Sequence, residues 1–273
     1  MVVIGLSSLL GYGIVHWSRP IPLGTYPLPE LPLFQKTLPL PAPARVAIVL
    51  DDWGYNLDAF HILDTIDEPV TLAILPYLPY SKTIARQAAK KGHEVILHVP
   101  MEPLGEAPLE KGTLLTAMRD DEIQDRLVSA LESLPNEKGV SNHMGSKFSQ
   151  DGRAMGSVLR TLGSRGLFYL DSRTTHDSVS SSLAEEIPVR VLSRDIFLDN
   201  EPGEAEIQAR IDDLRRLAKE KGFAIAIGHD EPLTVEMIRR NLRDFEEDGI
   251  QLVRLSELLD VVASPQRREK QSQ

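Results

Sequence analysis

Residues 45–55, RVAIVLDDWGY, set the frame for the rest of the chain. Five consecutive residues suited to a buried strand, Val46 to Leu50, stop at two adjacent carboxylates, Asp51 and Asp52. A short apolar run closed in this way predicts a strand of an α/β fold. In such folds the carboxyl ends of the strands open onto the crevice where ligands bind, so the pair is expected at the mouth of a site. Taken alone, adjacent Asp residues after a strand also serve as turn formers or as a helix N-cap.

The same rhythm continues downstream. Strands are predicted over Val70–Leu75, Glu94–Val99, Lys138–Ser141, Leu167–Leu170, Val189–Leu192, Phe223–Ile227 and Leu252–Val253. Between them, helical periodicity runs over 57–66, Lys82–Lys91, from Asp120 through Leu131, and over Arg153–Ser164, Glu204–Glu220, Pro232–Leu242 and Ser256–Val262. This alternation predicts one α/β domain, an irregular (β/α) barrel of about seven strands, with an open doubly wound sheet as the alternative. Residues 100–119 show little periodicity, and a long loop inside a compact domain is more often functional than idle.

The 273 residues carry a formal charge of −10 and no cysteine. The acidic balance argues against a nucleic-acid surface, which needs clustered Lys and Arg. The absence of thiols excludes disulfides and leaves any metal to imidazole and carboxylate. Met1 to Trp17 contains no Asp, Glu, Lys or Arg, which predicts a membrane anchor or uncleaved signal segment over 1–18. A buried core helix is the alternative, weakened by Gly5, Gly11 and Gly13. Eight prolines fall between Pro20 and Pro43, so 19–44 reads as an extended linker. The globular domain is then 45–262, and 263–273 a polar, disordered tail.

Nearly every predicted strand end carries groups able to do metal or acid/base chemistry. Asp51 and Asp52 follow the first strand; His98 ends the third, with Glu102 beyond it; His143 lies in SNHMGS, Asp171 in LDSRTT and His229 in IGHD. Imidazole and carboxylate are the ligands a zinc-type divalent ion takes when thiolate is absent, and an open site of that kind polarises a carbonyl. Two adjacent Asp cannot share one role, so one can bind metal while the other acts as a base. Each residue also has a plain structural explanation: a core histidine for His98, a solvated side chain for Glu102, a turn stabiliser for His143, a cap for Asp171. The joint pattern is what favours a site. His16, His61, His93 and His176 lack such a setting and are taken as structural or solvated.

These motifs resemble the polysaccharide deacetylases, and more closely their divergent branch in the bacterial periplasm. VAIVLDDWG is similar to the first motif of that family, GHEVILH to its second and IAIGHD to its last; NHMGSKF, HVPMEP and DSRTT match the divergent branch. The resemblance implies that Asp51 is the base, that Asp52 and His98 are metal ligands and that His229 is the acid. The family's second motif has a further His four residues after the first, where this chain has Glu102. The third ligand is therefore either His143 or Glu102. Asn142, Asp171, Ser172 and Asp230 flank these positions and are expected to contact substrate.

The activity implied is metal-dependent removal of acetyl groups from N-acetylated amino sugars of an envelope polysaccharide or peptidoglycan-type glycan. The corresponding location is the periplasm, with the domain tethered to the inner membrane. A catalytically weak glycan- or partner-binding module using the same groove is the alternative. A metal-dependent phosphoesterase is a more distant one, since no glycine-rich phosphate cradle is present.

Overall fold

Alternate residues of a strand face opposite sides, and here both sides are buried, as a parallel sheet covered by helices requires. A computed structural model describes residues 43–262, all within one compact unit. Among the described residues nine strands form: β1 (Ala44–Trp53), β2 (Thr71–Ile74), β3 (Glu94–Met101), β4 (Glu137–Met144), β5 (Phe168–Asp171), β6 (Val191–Ser193), β7 (Ile196–Phe197), β8 (Phe223–His229) and β9 (Ile250–Leu252). Eight follow the order β6-β5-β4-β3-β2-β1-β8-β7, and β9 pairs with the start of β1. Every pairing is parallel.

The two ends of this path, β6 and β7, are separated in sequence only by Arg194 and Asp195. Backbone bonds run from Arg194 N to Asp171 O at 3.1 Å and from Asp195 N to Ile225 O at 2.9 Å. The chain itself thus passes from one edge of the curled sheet to the other, which is the (β/α) barrel arrangement. β7 is the element that hydrophobic patterning does not predict. Two residues long, it is too short for the period-two signal.

Along β1, Val46, Ile48 and Leu50 pack outward in one core with the surrounding helices, while Ala47 and Val49 face inward in a second core. Ile96, Phe168, Leu170, Ile225 and Ile227 share that interior, and Leu255, Leu258 and Leu259 from the C-terminal turns complete it. The helices observed are Phe60–Leu63, Ser81–Lys91, Asp120–Ser133, Gly152–Ser164, Ser180–Leu183, Glu204–Lys221, Pro232–Glu247 and Leu259–Val262. The first is only four residues long. Ser81 is the first helical residue rather than the cap, its hydroxyl donating to Leu75 O at 2.6 Å. Gly92, at φ 93°, ends that helix in the left-handed conformation expected of a helix-terminal glycine.

The expected anchor and linker over 1–42 and the tail over 263–273 lie outside the described residues. No described helix is long and apolar enough to cross a membrane.

A glycine in a helix normally costs about 1 kcal/mol relative to alanine, yet Gly163 has a packing reason to be there. A Cβ at that position would sit 2.6 Å from the backbone oxygen of Pro188. Gly163→Ala is therefore expected to destabilise the fold by about 1–3 kcal/mol, measured by denaturant unfolding; a gain in stability would refute this tight helix–loop contact.

Candidate metal centre and active site

The interior face carries the chemistry because strand alternation continues past the apolar core. After Ala47 and Val49 the next inward position on β1 is Asp51; after Ile96 on β3 it is His98; after Ile227 on β8 it is His229. On β4, Ser141 is directly opposite His98, and His143 is two residues further on the same face. Asp51 is in register with His229 across the β1–β8 pair.

Asp52 breaks the alternation. Its backbone has φ 67°, in the left-handed region that non-glycine residues seldom occupy. The β1–β2 register shifts between Leu50 and Trp53. This kink lets a residue of outward parity return its carboxylate to the site. Asp52 Oδ1 lies 2.8 Å from His143 Nδ1 and 3.1 Å from His98 Nε2.

The ligand atoms of Asp52, His98 and His143 all lie within 4.8 Å of one another. Burial alone would raise the Asp52 carboxyl, but hydrogen bonds with His143 and His98 outweigh it and hold the group ionised far below the usual range. Burial lowers the His98 imidazole to about 4, with Asp52 opposing only part of that effect. An ionised carboxylate beside a neutral imidazole is the protonation pattern that metal ligation requires. The second nitrogen of His98, Nδ1, is hydrogen-bonded to Ser141 Oγ at 2.7 Å, which fixes Nε2 toward the site. The donor set therefore fits a divalent ion bound by two imidazoles and a carboxylate.

Asp51 is fully buried, with Oδ1 lacking any hydrogen-bond partner and Oδ2 3.5 Å from His98 Nε2. Its carboxyl is pushed well above the ordinary range by burial first and by the charge of Asp52 second.

On the other side, His229 Nδ1 is 2.9 Å from Asp199 Oδ1, while the His229 backbone N–H and the Thr234 hydroxyl both donate to Asp199 Oδ2. The Asp199 hydrogen bond raises the imidazole to about 9 against the opposing effect of burial. The Phe197 ring stacks on it with centroids 6.2 Å apart and planes at 9°. Asp230 is half-buried, and burial, Asp52 and Glu231 push its carboxyl up to about 7.

The remaining expected residues are engaged in hydrogen bonds within the fold. Glu102 lies outside the triad. Its carboxylate accepts from Lys147 Nζ at 2.6 Å and from both the backbone N–H and hydroxyl of Thr116 at 2.7 Å. His143, not Glu102, completes the cluster. Asn142 and Asp171 have outward parity and are buried. Asn142 Oδ1 accepts from Tyr169 Oη and Ser172 N, and its Nδ2 donates to Met144 O. Asp171 accepts from Arg173 N and Ser178 Oγ. Ser172 is buried too, its hydroxyl donating to Asn142 O at 3.0 Å. These three side chains hold the β4 and β5 exits together.

Two residues at the site were not anticipated from the sequence. Asp199 ends Ile196–Phe197–Leu198, an apolar stretch stopping at a carboxylate just as Val46–Leu50 does; that pattern could have found it. Arg194 has no such signal. Its guanidinium lies over the Phe197 ring at 3.7 Å and donates to the carbonyls of Ser172 and Arg173. Arg194 and Phe197 help to line a cavity of about 750 Å³ with Ala205, Glu206, Ala209 and Arg210 of the helix Glu204–Lys221.

The family model of the divergent polysaccharide deacetylases matches residues 48–259. The Escherichia coli K12 protein YibQ is 36% identical over 216 residues, which cover 79% of this chain and 67% of YibQ. The crystal structure of the Agrobacterium tumefaciens C58 protein ATU2773 superposes with a TM-score of 0.76 at 30% identity, over 80% of this chain and 90% of that one. At 14% identity and a TM-score of 0.51, the fold alone is also similar to the catalytic domain of a peptidoglycan N-acetylglucosamine deacetylase from Eubacterium rectale, over 79% of this chain and 90% of that one.

Two outcomes follow from the geometry. Zinc titrated calorimetrically into the full chain should bind at one site, be lost in His98→Ala and His143→Ala, and be retained in Glu102→Gln; loss in Glu102→Gln as complete as in His143→Ala would move the third ligand to Glu102. Removing the Asp199 charge should return His229 from about 9 toward its ordinary value of about 6.5, read by NMR titration of Asp199→Asn. Because the folded value is the raised one, the stability from this pair is fully present below about pH 6.5 and is lost as pH rises through about 9. The gap in melting temperature between wild type and Asp199→Asn should close over that interval.

Proposed function

The chain belongs to the divergent polysaccharide deacetylases, and on that footing we propose that it is a metal-dependent amide hydrolase that removes acetyl groups from N-acetylated amino sugars of an envelope glycan. The observation that carries this proposal is the division of labour around one point. An Asp-His-His ligand set, a buried carboxylate with a free oxygen and a cationic imidazole converge there from four strand ends, those of β1, β3, β4 and β8.

Held by Asp52, His98 and His143, a divalent ion such as zinc would polarise the acetamide carbonyl and acidify water next to it. The chain's own groups supply the proton transfers. Asp51, its Oδ1 unengaged and its pKa raised by burial, accepts a proton from water as the water oxygen bonds to the carbonyl carbon. His229, cationic at neutral pH, gives its proton to the nitrogen as the carbon–nitrogen bond breaks, so that acetate and a free amine result. Asp199 occupies Nδ1, leaving Nε2 as the donating atom. Phe197 stacked on the ring limits its rotation. The protons balance: one leaves water for Asp51, the other stays on the acetic acid and is released to solvent as it ionises to acetate, one passes from His229 to the amine, and the proton on Asp51 is handed on to His229 to reset the pair.

The substrate is inferred from the family and from the neighbour of similar fold, the peptidoglycan N-acetylglucosamine deacetylase of Eubacterium rectale. Acetate release from N-acetylglucosamine oligomers or peptidoglycan, assayed with zinc present, is the test. Wild type should turn over, and Asp51→Asn should lose rate by about 10²–10⁴-fold while still binding zinc. Zinc bound to wild type without any acetate released would sink the hydrolase and leave a glycan-binding module in the same groove.

A further inference from the structure

The large apolar side chains that reach solvent are grouped. Among the described residues Tyr55, Tyr80, Leu104 and Leu109 are 46, 40, 61 and 50% exposed. All four lie on the loops leaving β1, β2 and β3, three neighbouring strands, at the end that carries the Asp-His-His triad. Isolated exposed apolar residues need no explanation, but a cluster bordering a site marks a ligand groove.

These loops are tied into one wall. Tyr80 N donates to Gly54 O at 3.0 Å. Lys111 places its ammonium 5.1 Å from the centroid of the Tyr77 ring, and the Tyr77 hydroxyl donates to Ser129 Oγ at 3.1 Å. The Tyr55 hydroxyl donates to Glu110, across 55 residues of sequence. Tyr55 is thus both exposed and immobilised, with its backbone beside the anchored Gly54 and its hydroxyl held by the opposite loop. Its phenol is raised above the ordinary range by desolvation first, then by Glu110, with Asp52 and Asp230 adding to the effect. The ring is therefore within electrostatic reach of the site.

We propose that Tyr55 is a specificity-determining residue whose ring stacks against the apolar C–H face of the sugar adjoining the acetamido sugar, with Tyr80 and Leu109 extending the same surface. This rests on the glycan hydrolase above, and adds that the substrate is an extended chain gripped beyond the reacting sugar. A pyranose presents a face of polarised C–H bonds, which matches the negative face of an aromatic ring. An aromatic side chain already fixed in place loses little entropy when it binds, and the Tyr55 hydroxyl, committed to Glu110, leaves the ring as the contacting surface.

The test is the dependence of binding on chain length, measured calorimetrically on the zinc-loaded full chain with N-acetylglucosamine and its hexamer as the probes. Wild type should bind the hexamer more tightly than the single sugar by about tenfold or more, the scale of one good contact. Tyr55→Ala should reduce that ratio about fivefold or more, and Tyr55→Phe, which keeps the ring, should retain most of it. Where alanine unfolds the loop, Tyr55→Leu keeps apolar volume without a flat ring and should show the same loss. An unchanged ratio in Tyr55→Ala or Tyr55→Leu, or a loss in Tyr55→Phe as large as in alanine, overturns the proposal. Acetate release is scored separately, so failure of turnover with an intact binding series overturns the hydrolase and not the role of Tyr55.

Discussion

Two carboxylates side by side at the end of a buried strand are the constraint on which this site depends. Asp51 and Asp52 cannot both be ionised in a low-dielectric interior without compensation, since each charge penalises the other and burial penalises both. The structure separates them by direction. Asp51 continues the inward alternation of β1, where it keeps a free oxygen and an elevated pKa. Asp52 turns through a left-handed backbone to meet two imidazoles, which hold it ionised. One strand end thereby supplies a group suited to accept a proton and a group suited to bind a cation.

The cost of that separation is local strain, and it recurs at the same end of the sheet. Asp52, Tyr77, Met144 and Arg173 all have positive φ, and they lie at or just beyond the last residues of β1, β2, β4 and β5. Each such residue costs on the order of 1–3 kcal/mol and persists only where the surroundings fix it. Here the surroundings do so: Met144 O accepts from Asn142 Nδ2 and Thr174 Oγ1, and Arg173 N donates to Asp171 Oδ1. The buried polar side chains of Asn142 and Asp171 thus help to hold these strained exits in place.

This explains how much of the molecule could be seen in the sequence. Strand–helix alternation is a long-range periodic signal, so nearly every strand and helix was visible, and so were Asp51, His98 and His229, which extend an apolar strand in phase. Asp171 and Asn142 sit at strand ends of the same appearance but with opposite parity, and a residue's side of the sheet is set by register rather than by composition. Asp52 is the converse case, brought in by a kink that one sequence does not reveal. Asp199 follows an apolar run of only three residues, a weaker form of the signal that marks Asp51, and Arg194 lies in the two-residue segment that bridges the two edges of the barrel, where no periodicity points to it.

The position of Glu102 shows how the departure from the usual deacetylase pattern is accommodated. In the family's second motif that place belongs to a histidine, and a carboxylate there could in principle ligate. Yet the Glu102 backbone carbonyl accepts from Lys147 N and Phe148 N, and its side chain holds Lys147 and Thr116. Lys147 follows His143 by four residues, so these bonds tie the β3 exit to the segment that carries the second imidazole. Burial would raise the Glu102 carboxyl, but the Lys147 and Thr116 hydrogen bonds prevail and keep it charged. Pulling that carboxylate into the metal site would leave Lys147 and the Thr116 N–H without their acceptor and slacken the same segment. The imidazole beside Asp52 and His98 thus comes from the fourth strand, and Glu102 braces the segment that follows it.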